Sequence, residues 1–155
     1  MREPVTAYIG LGANLGEPAA ALALAVQQLG SHPGVTVTAQ SSYYRTAPMD
    51  SSGPDYTNAV VEVRTTLTAP ELLVCIQGIE AAAGRERPYR NAPRTLDLDI
   101  LLYGDAHMSS PALDIPHPRM WQRAFVLLPL AEVAPRRVTA TQLHAVEAQS
   151  ITRLP

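Results

Sequence analysis

Asp97 and Asp99 stand one residue apart in the run Arg94, Thr95, Leu96, Asp97, Leu98, Asp99. Extended backbone sends successive side chains to opposite faces, so the two carboxylates share one face while Leu96, Leu98 and Ile100 share the other, with about 7 Å between the two aspartate Cα atoms. Aspartate is depleted in strands and like charges on one face repel, so the pattern costs stability unless a cation lies between them. Oxygen-only ligands select hard cations, and magnesium in particular is commonly held by one or two carboxylates together with phosphate oxygens and water. A solvated polar face of an edge strand would show the same two residues. What favours the metal reading is the segment just before, where Arg85, Arg87, Arg90 and Arg94 fall within ten residues. Guanidinium forks match phosphate oxygens bidentately, so arginines beside a metal-binding strand point to a clamp on a nucleotide's polyphosphate.

Three further groups have side chains suited to the same site. Gln77 and Glu80 lie three apart and share one face of a predicted helix that leads into the arginine segment, although a surface Gln and Glu are common on such helices. His117 is pinned between Pro116 and Pro118 and is followed by Arg119, Arg123 and Phe125, a set offering a phosphate contact and a ring to stack on a flat ligand. Tyr56 and Asn58 are two apart on a predicted strand, so a ring and a bidentate amide face the same way, a pair suited to a planar heterocycle with donors and acceptors. His32, His107 and His144 suggest no site, and Cys75, set among Leu72, Leu73, Val74 and Ile76, reads as core packing.

These residues need a scaffold, and the chain supplies one of ordinary size. Its 155 residues, 46% hydrophobic and 17% charged, predict one compact domain spanning 1–155. A net charge of -2 removes the broad basic attraction that nucleic acid or anionic lipid would require, and no apolar run approaches a membrane span. The N-terminal residues lack a signal-like pattern and one cysteine forms no internal disulfide, so a cytoplasmic protein is expected. All twelve basic residues are arginine, which excludes lysine Schiff-base or P-loop chemistry.

The order of elements reads β-α-β-β-α-β. A strand over Val5 to Leu11 exits at Gly10, Gly12 and Gly16, and Ala19 to Leu29 forms a helix stopped by Gly30. β-branched and aromatic runs over Val35 to Tyr44 and Tyr56 to Leu67 predict two strands joined by a long loop. Thr68 and Glu71 form a capping box for a helix running to Ala83, and Thr95 to Tyr103 returns to strand. This is an α+β, ferredoxin-like arrangement, an antiparallel sheet with helices packed on it, followed by a C-terminal extension with short helices near Arg119 to Leu128 and Thr141 to Ile151.

Several ordered motifs resemble those of the 6-hydroxymethyl-7,8-dihydropterin pyrophosphokinases of folate biosynthesis, across essentially the whole chain. The most specific is P-R-T-L-D-L-D-I at Pro93 to Ile100. It is joined by Y-I-G-L-G-A-N-L-G at Tyr8 to Gly16, Y-R-T-A-P at Tyr44 to Pro48, P-D-Y-T-N at Pro54 to Asn58 and I-P-H-P-R-M at Ile115 to Met120. The resemblance implies transfer of pyrophosphate from ATP to the pterin hydroxymethyl group, releasing AMP. It implies that Asp97 and Asp99 bind two magnesium ions, with Asp97 also helping to deprotonate the hydroxyl, and that Arg85 and Arg94 follow the polyphosphate. By the same analogy Gln77, Glu80, Arg87, Arg90, Ile100, His117 and Arg123 take the nucleotide, and Thr46, Pro48, Tyr56, Asn58 and Phe125 take the pterin. A monomer is expected. The chain departs from a common family pattern at Asn91 and Ala92, where many members carry Trp and Gly, and at Ala112 and Asp114, where some carry Arg and Thr. Two other readings use the same residues differently: a divalent-metal phosphohydrolase attacking with water, and a ferredoxin-like RNA-binding module, against which the low aromatic content of 5% argues.

Overall fold

The computed structural model describes residues 3–14, 16–47, 54–84 and 96–155. Its centre is β1 (Val5–Ala13), where Ala7, Ile9, Leu11 and Ala13 turn one way into a core and Tyr8 turns the other. β1 pairs antiparallel with β4 (Tyr56–Thr65) on one side and with β5 (Asp97–Tyr103) on the other. Beyond β4 lie β2 (Val35–Gln40) and β3 (Tyr44–Thr46), both antiparallel to it. Helices α1 (Pro18–Ser31) and α2 (Ala69–Gly84) cover one face, burying Leu22, Ala25 and Leu29 from the first and Leu72, Cys75, Ile76 and Ile79 from the second against Ile9, Val61, Val63, Leu98 and Ile100. Each fully buried leucine there contributes about 1.5–3 kcal/mol relative to exposure. The capping box is present: the Thr68 N–H donates to Glu71 Oε1 at 2.8 Å and the Glu71 N–H donates to Thr68 Oγ1 at 3.2 Å. Strand order and direction are those of the expected ferredoxin-like core.

Three local expectations change. The single strand expected over residues 35–44 is two, because Ser41 leaves the ladder: its N–H donates to the Val60 carbonyl at 2.9 Å while its Oγ accepts from the Val60 N–H at 2.9 Å. The glycines read as a strand exit do not all serve one, since Gly10 and Gly12 lie within β1 and only Gly16 has a positive φ, 64°. The helix expected near 141–151 stops early, as α4 (Ala140–Ala145), and Ile151–Arg153 forms a further strand, β8, on the free side of β3.

The C-terminal third covers the other face of the sheet. After a small hairpin of β6 (Met108–Ser109) and β7 (Asp114–Ile115), a turn of 3-10 helix at Met120–Gln122 leads into α3 (Ala124–Val133). α3 buries Val126, Leu127 and Leu130 against Tyr8, Val60, Leu101 and Leu102. Two consecutive β5 residues reach this second core because the register with β1 slips between Tyr8, opposite Leu102, and Ile9, opposite Ile100. The extra residue of this bulge, Leu101, lies on the α3 side two positions after Asp99. Among the described residues no helix is long and apolar enough to cross a membrane.

Candidate active site

α3 covers one half of its sheet face; a cavity of about 610 Å³ opens over the other half, a size suited to small-molecule ligands. Its floor is bare because of two glycines. Gly12 stands opposite Asn58 on β4 and opposite Asp97 on β5, and Gly10 stands opposite Asp99. A Cβ on Gly12 would come within 2.9 Å of Asn58 Nδ2, so the amide lies across a space that only glycine leaves. Alternating glycines in an otherwise apolar strand were the available sequence signal for this floor.

The cavity gathers most of the sequence-predicted residues among those described. Thr46, Tyr56, Asn58, Gln77, Glu80, Asp97, Asp99, His117, Arg123 and Phe125 all line it. Asn58 and Thr46 are buried, and the Thr46 hydroxyl donates to Asn58 Oδ1 at 3.0 Å, fixing which way the amide presents its donors. The Arg123 guanidinium carbon lies 5.4 Å from the centre of the Phe125 ring, a cation–π placement that holds both side chains. Glu80 Oε2 accepts from the Leu98 N–H at 2.8 Å, tying α2 to the unpaired edge of β5 between the two aspartates.

Asp97 and Asp99 are exposed on the same face of β5. Among the described residues no set of three or more His, Cys, Asp or Glu side chains gathers to hold an ion. An oxygen-only pair over a bare floor fits a hard divalent cation that completes its shell with phosphate and water, better than one caged by protein alone. His117 Nδ1 accepts from the Arg119 N–H at 3.2 Å, so a neutral ring carries its hydrogen on Nε2. Burial pushes this imidazole below its ordinary value; the Asp99 carboxylate works against that, while Arg123 and Arg119 add to it.

One predicted residue sits elsewhere: the Ile100 side chain is buried in the core under α1 and α2 and is not among those lining the cavity. Its place follows from strand alternation, which turns it away from Asp97 and Asp99. Pro48, Arg85, Arg87, Arg90 and Arg94, with Asn91 and Ala92, lie outside the described residues. Ala112 lines the cavity.

Comparisons with known proteins bear on the family. The family model for 7,8-dihydro-6-hydroxymethylpterin-pyrophosphokinase (HPPK) matches residues 8–135. A protein of Methylorubrum extorquens named 2-amino-4-hydroxy-6-hydroxymethyldihydropteridine pyrophosphokinase is 48% identical over 130 residues, covering 83% of this chain and 82% of that one. Its Bacillus subtilis namesake is 46% identical over 128 residues, covering 82% and 77%. The crystal structure of wild-type Plasmodium falciparum HPPK-DHPS with pterin and p-hydroxybenzoate superposes with a TM-score of 0.67 over 87% of this chain. This chain spans 40% of that longer protein, and at 16% identity the likeness bears on the fold alone. The chain belongs to the 7,8-dihydro-6-hydroxymethylpterin pyrophosphokinase family.

Proposed function

We propose that this chain transfers the β,γ-pyrophosphoryl group of ATP to the hydroxymethyl group of 6-hydroxymethyl-7,8-dihydropterin, giving the pterin diphosphate and AMP. One observation carries the reading: Asn58, Gly12 and Asp97 stand in register on three adjacent strands. Two strand spacings separate the amide from the carboxylate, roughly 10 Å across a floor without side chains. A bicyclic ring held at Asn58 therefore has its one-carbon arm directed toward Asp97. The pterin end comprises Thr46, Tyr56, Asn58 and Phe125, with Pro48 added from the family resemblance.

Asp97 and Asp99 would hold magnesium, two ions by analogy, which neutralises the polyphosphate and polarises the transferred phosphorus when bound. In the step itself the hydroxymethyl oxygen attacks the β-phosphorus, the bond from that phosphorus to the α,β-bridging oxygen breaks, and AMP departs. On this reading Asp97 accepts the hydroxyl proton. Transfer of this kind asks little covalent chemistry of the protein and depends on positioning and charge. Gln77, Glu80, His117 and Arg123 take the nucleotide on this reading, with Arg87 and Arg90, while Arg85 and Arg94 follow the polyphosphate. The two cores share one sheet, which supports a single catalytic domain over 1–155.

Incubation with magnesium, ATP and the hydroxymethyl dihydropterin, followed by identification of the nucleotide product, tests the proposal. Pterin-dependent AMP is the expected result. ADP, or phosphate released without pterin, would overturn it in favour of a kinase or a phosphohydrolase.

A further inference from the structure

Glu132, near the end of α3, lies outside the cavity lining yet gathers contacts from β3, the loop before it and β8. Its Oε2 accepts from the Tyr44 hydroxyl. Its Oε1 accepts from the Ser42 N–H at 3.1 Å and from the Ser42 hydroxyl at 3.0 Å, and pairs with Arg153 of β8 at 3.4 Å. Arg153 Nε closes the network by donating to Ser42 Oγ at 3.0 Å.

Both ends of this network lead back to the ring-binding end of the cavity. On the strand side, Tyr44 and Thr46 are two apart on β3 and so share a face; Tyr44 is buried, and Thr46 holds the Asn58 amide. On the helix side, Phe125 lies seven residues before Glu132 on α3, which places both on one helix face within about 20° and about 10 Å apart along the axis. The turn carrying Phe125 is held at its start, where the Val126 and Leu127 N–H groups donate to the Arg123 carbonyl at 3.1 and 3.0 Å and the Ala124 N–H donates to Gln149 Oε1 at 2.9 Å, but two other supports are missing. Arg123 at the N-cap makes no side-chain cap bond, and Pro129 has no N–H to offer the Phe125 carbonyl. β3 is three residues long, between Tyr44 and Thr46, and gains little rigidity from its own length.

We propose that Glu132 is a positioning residue, a strut that sets the spacing between β3, which carries Thr46 to Asn58, and α3, which carries Phe125, and so sets the width of the slot for the flat ring. The inference rests on the reading of this end of the cavity as the pterin subsite. A strut on the ring walls acts on the pterin directly and reaches the nucleotide only through Arg123, which stacks on Phe125, so its loss is felt more by the pterin than by ATP.

Phe125 is the only phenylalanine in the chain, so 4-fluorophenylalanine labelling places one 19F resonance at the slot wall. In the ligand-free protein Glu132→Ala should shift or broaden that resonance. The same variant should raise the dissociation constant for the pterin about tenfold and that for magnesium-ATP by no more than about threefold, since a wall displaced by a fraction of an ångström weakens most what it touches directly and reaches the nucleotide only through Arg123. An unmoved resonance, an equal loss for both ligands, or no loss for either overturns the strut. If Glu132→Ala does not fold, Tyr44→Phe removes only the phenol donor, and the two binding measurements on it must show the same pterin-selective loss. A wild-type protein that makes no AMP from the pterin defeats the functional reading instead, while the resonance still reports on the strut.

Discussion

At Asp97 the side chain has two duties on the proposed reading, to hold a cation and to receive a proton, and neither concerns how tightly the pterin ring is held. Asp97→Ala should therefore lower turnover by about a hundredfold or more, the scale of losing one oriented electrostatic group at a reacting centre. The pterin dissociation constant should change by less than about threefold. Steady-state turnover beside equilibrium binding of the pterin checks this, and near-normal turnover would refute the metal and proton roles together. This pair was legible in the sequence because strand alternation is a local rule: Asp97 and Asp99 share a face wherever the strand is placed. Glu80 was read as a nucleotide contact, but sequence gave no sign that its carboxylate also accepts the Leu98 N–H between those aspartates, since that bond joins elements 18 residues apart.

Registers between strands, which no single strand reveals, decide where the floor lies. Gly12 sits between Asn58 and Asp97, and a methyl group there would meet Asn58 Nδ2 at 2.9 Å. Gly12→Ala should turn the amide off the Thr46 hydroxyl and raise the pterin dissociation constant about tenfold, the value of one well-placed hydrogen bond. Gly10→Ala is the control for the amide, because its Cβ would meet only the Leu101 side chain, nearest at 3.4 Å, and not Asn58. Equal effects from the two variants, read by binding titration, would sink the link between Gly12 and the Asn58 amide. Sequence alone placed these glycines at a turn, since glycine serves turns and bare surfaces alike. The same limit explains Ser41, whose β-branched and aromatic neighbours concealed the break that its two bonds to Val60 impose.

The whole molecule is a sheet with a core on each face, and its ionisable groups make its stability depend on pH in a definite direction. The α1 and α2 side was legible from helical and strand periods; the α3 side was not, because the half-buried positions Phe125, Leu128 and Ala131 are apolar as well as the buried Val126, Leu127 and Leu130, so the sequence shows no one-sided stripe. That second side also carries much of the acid and alkaline sensitivity. Burial tends to raise the Glu132 carboxyl, but the hydrogen bonds from Tyr44 and Ser42 and the charge of Arg153 outweigh it and hold the group below its ordinary 4.5. Its stabilisation is complete above that value and is lost as pH falls through the lowered one. Burial lowers His117 from 6.5, so its contribution begins to fade earlier, as pH drops below 6.5. On the alkaline side, burial together with the bond to Glu132 pushes Tyr44 up to about 12, and burial with Glu62 does the same for Tyr8. Both phenols stabilise fully below 10, and that support is withdrawn as pH climbs from 10 toward 12. Burial also raises the Cys75 thiol above its ordinary 9.0, so the melting temperature should be level from about pH 6.5 to 9 and fall on either side, and Tyr44→Phe should flatten the alkaline fall while leaving Tyr8 and Cys75 to account for what remains. Thermal melts of both proteins across that range decide it; an alkaline limb of unchanged steepness in the variant would mean that Tyr44 does not stabilise through its proton.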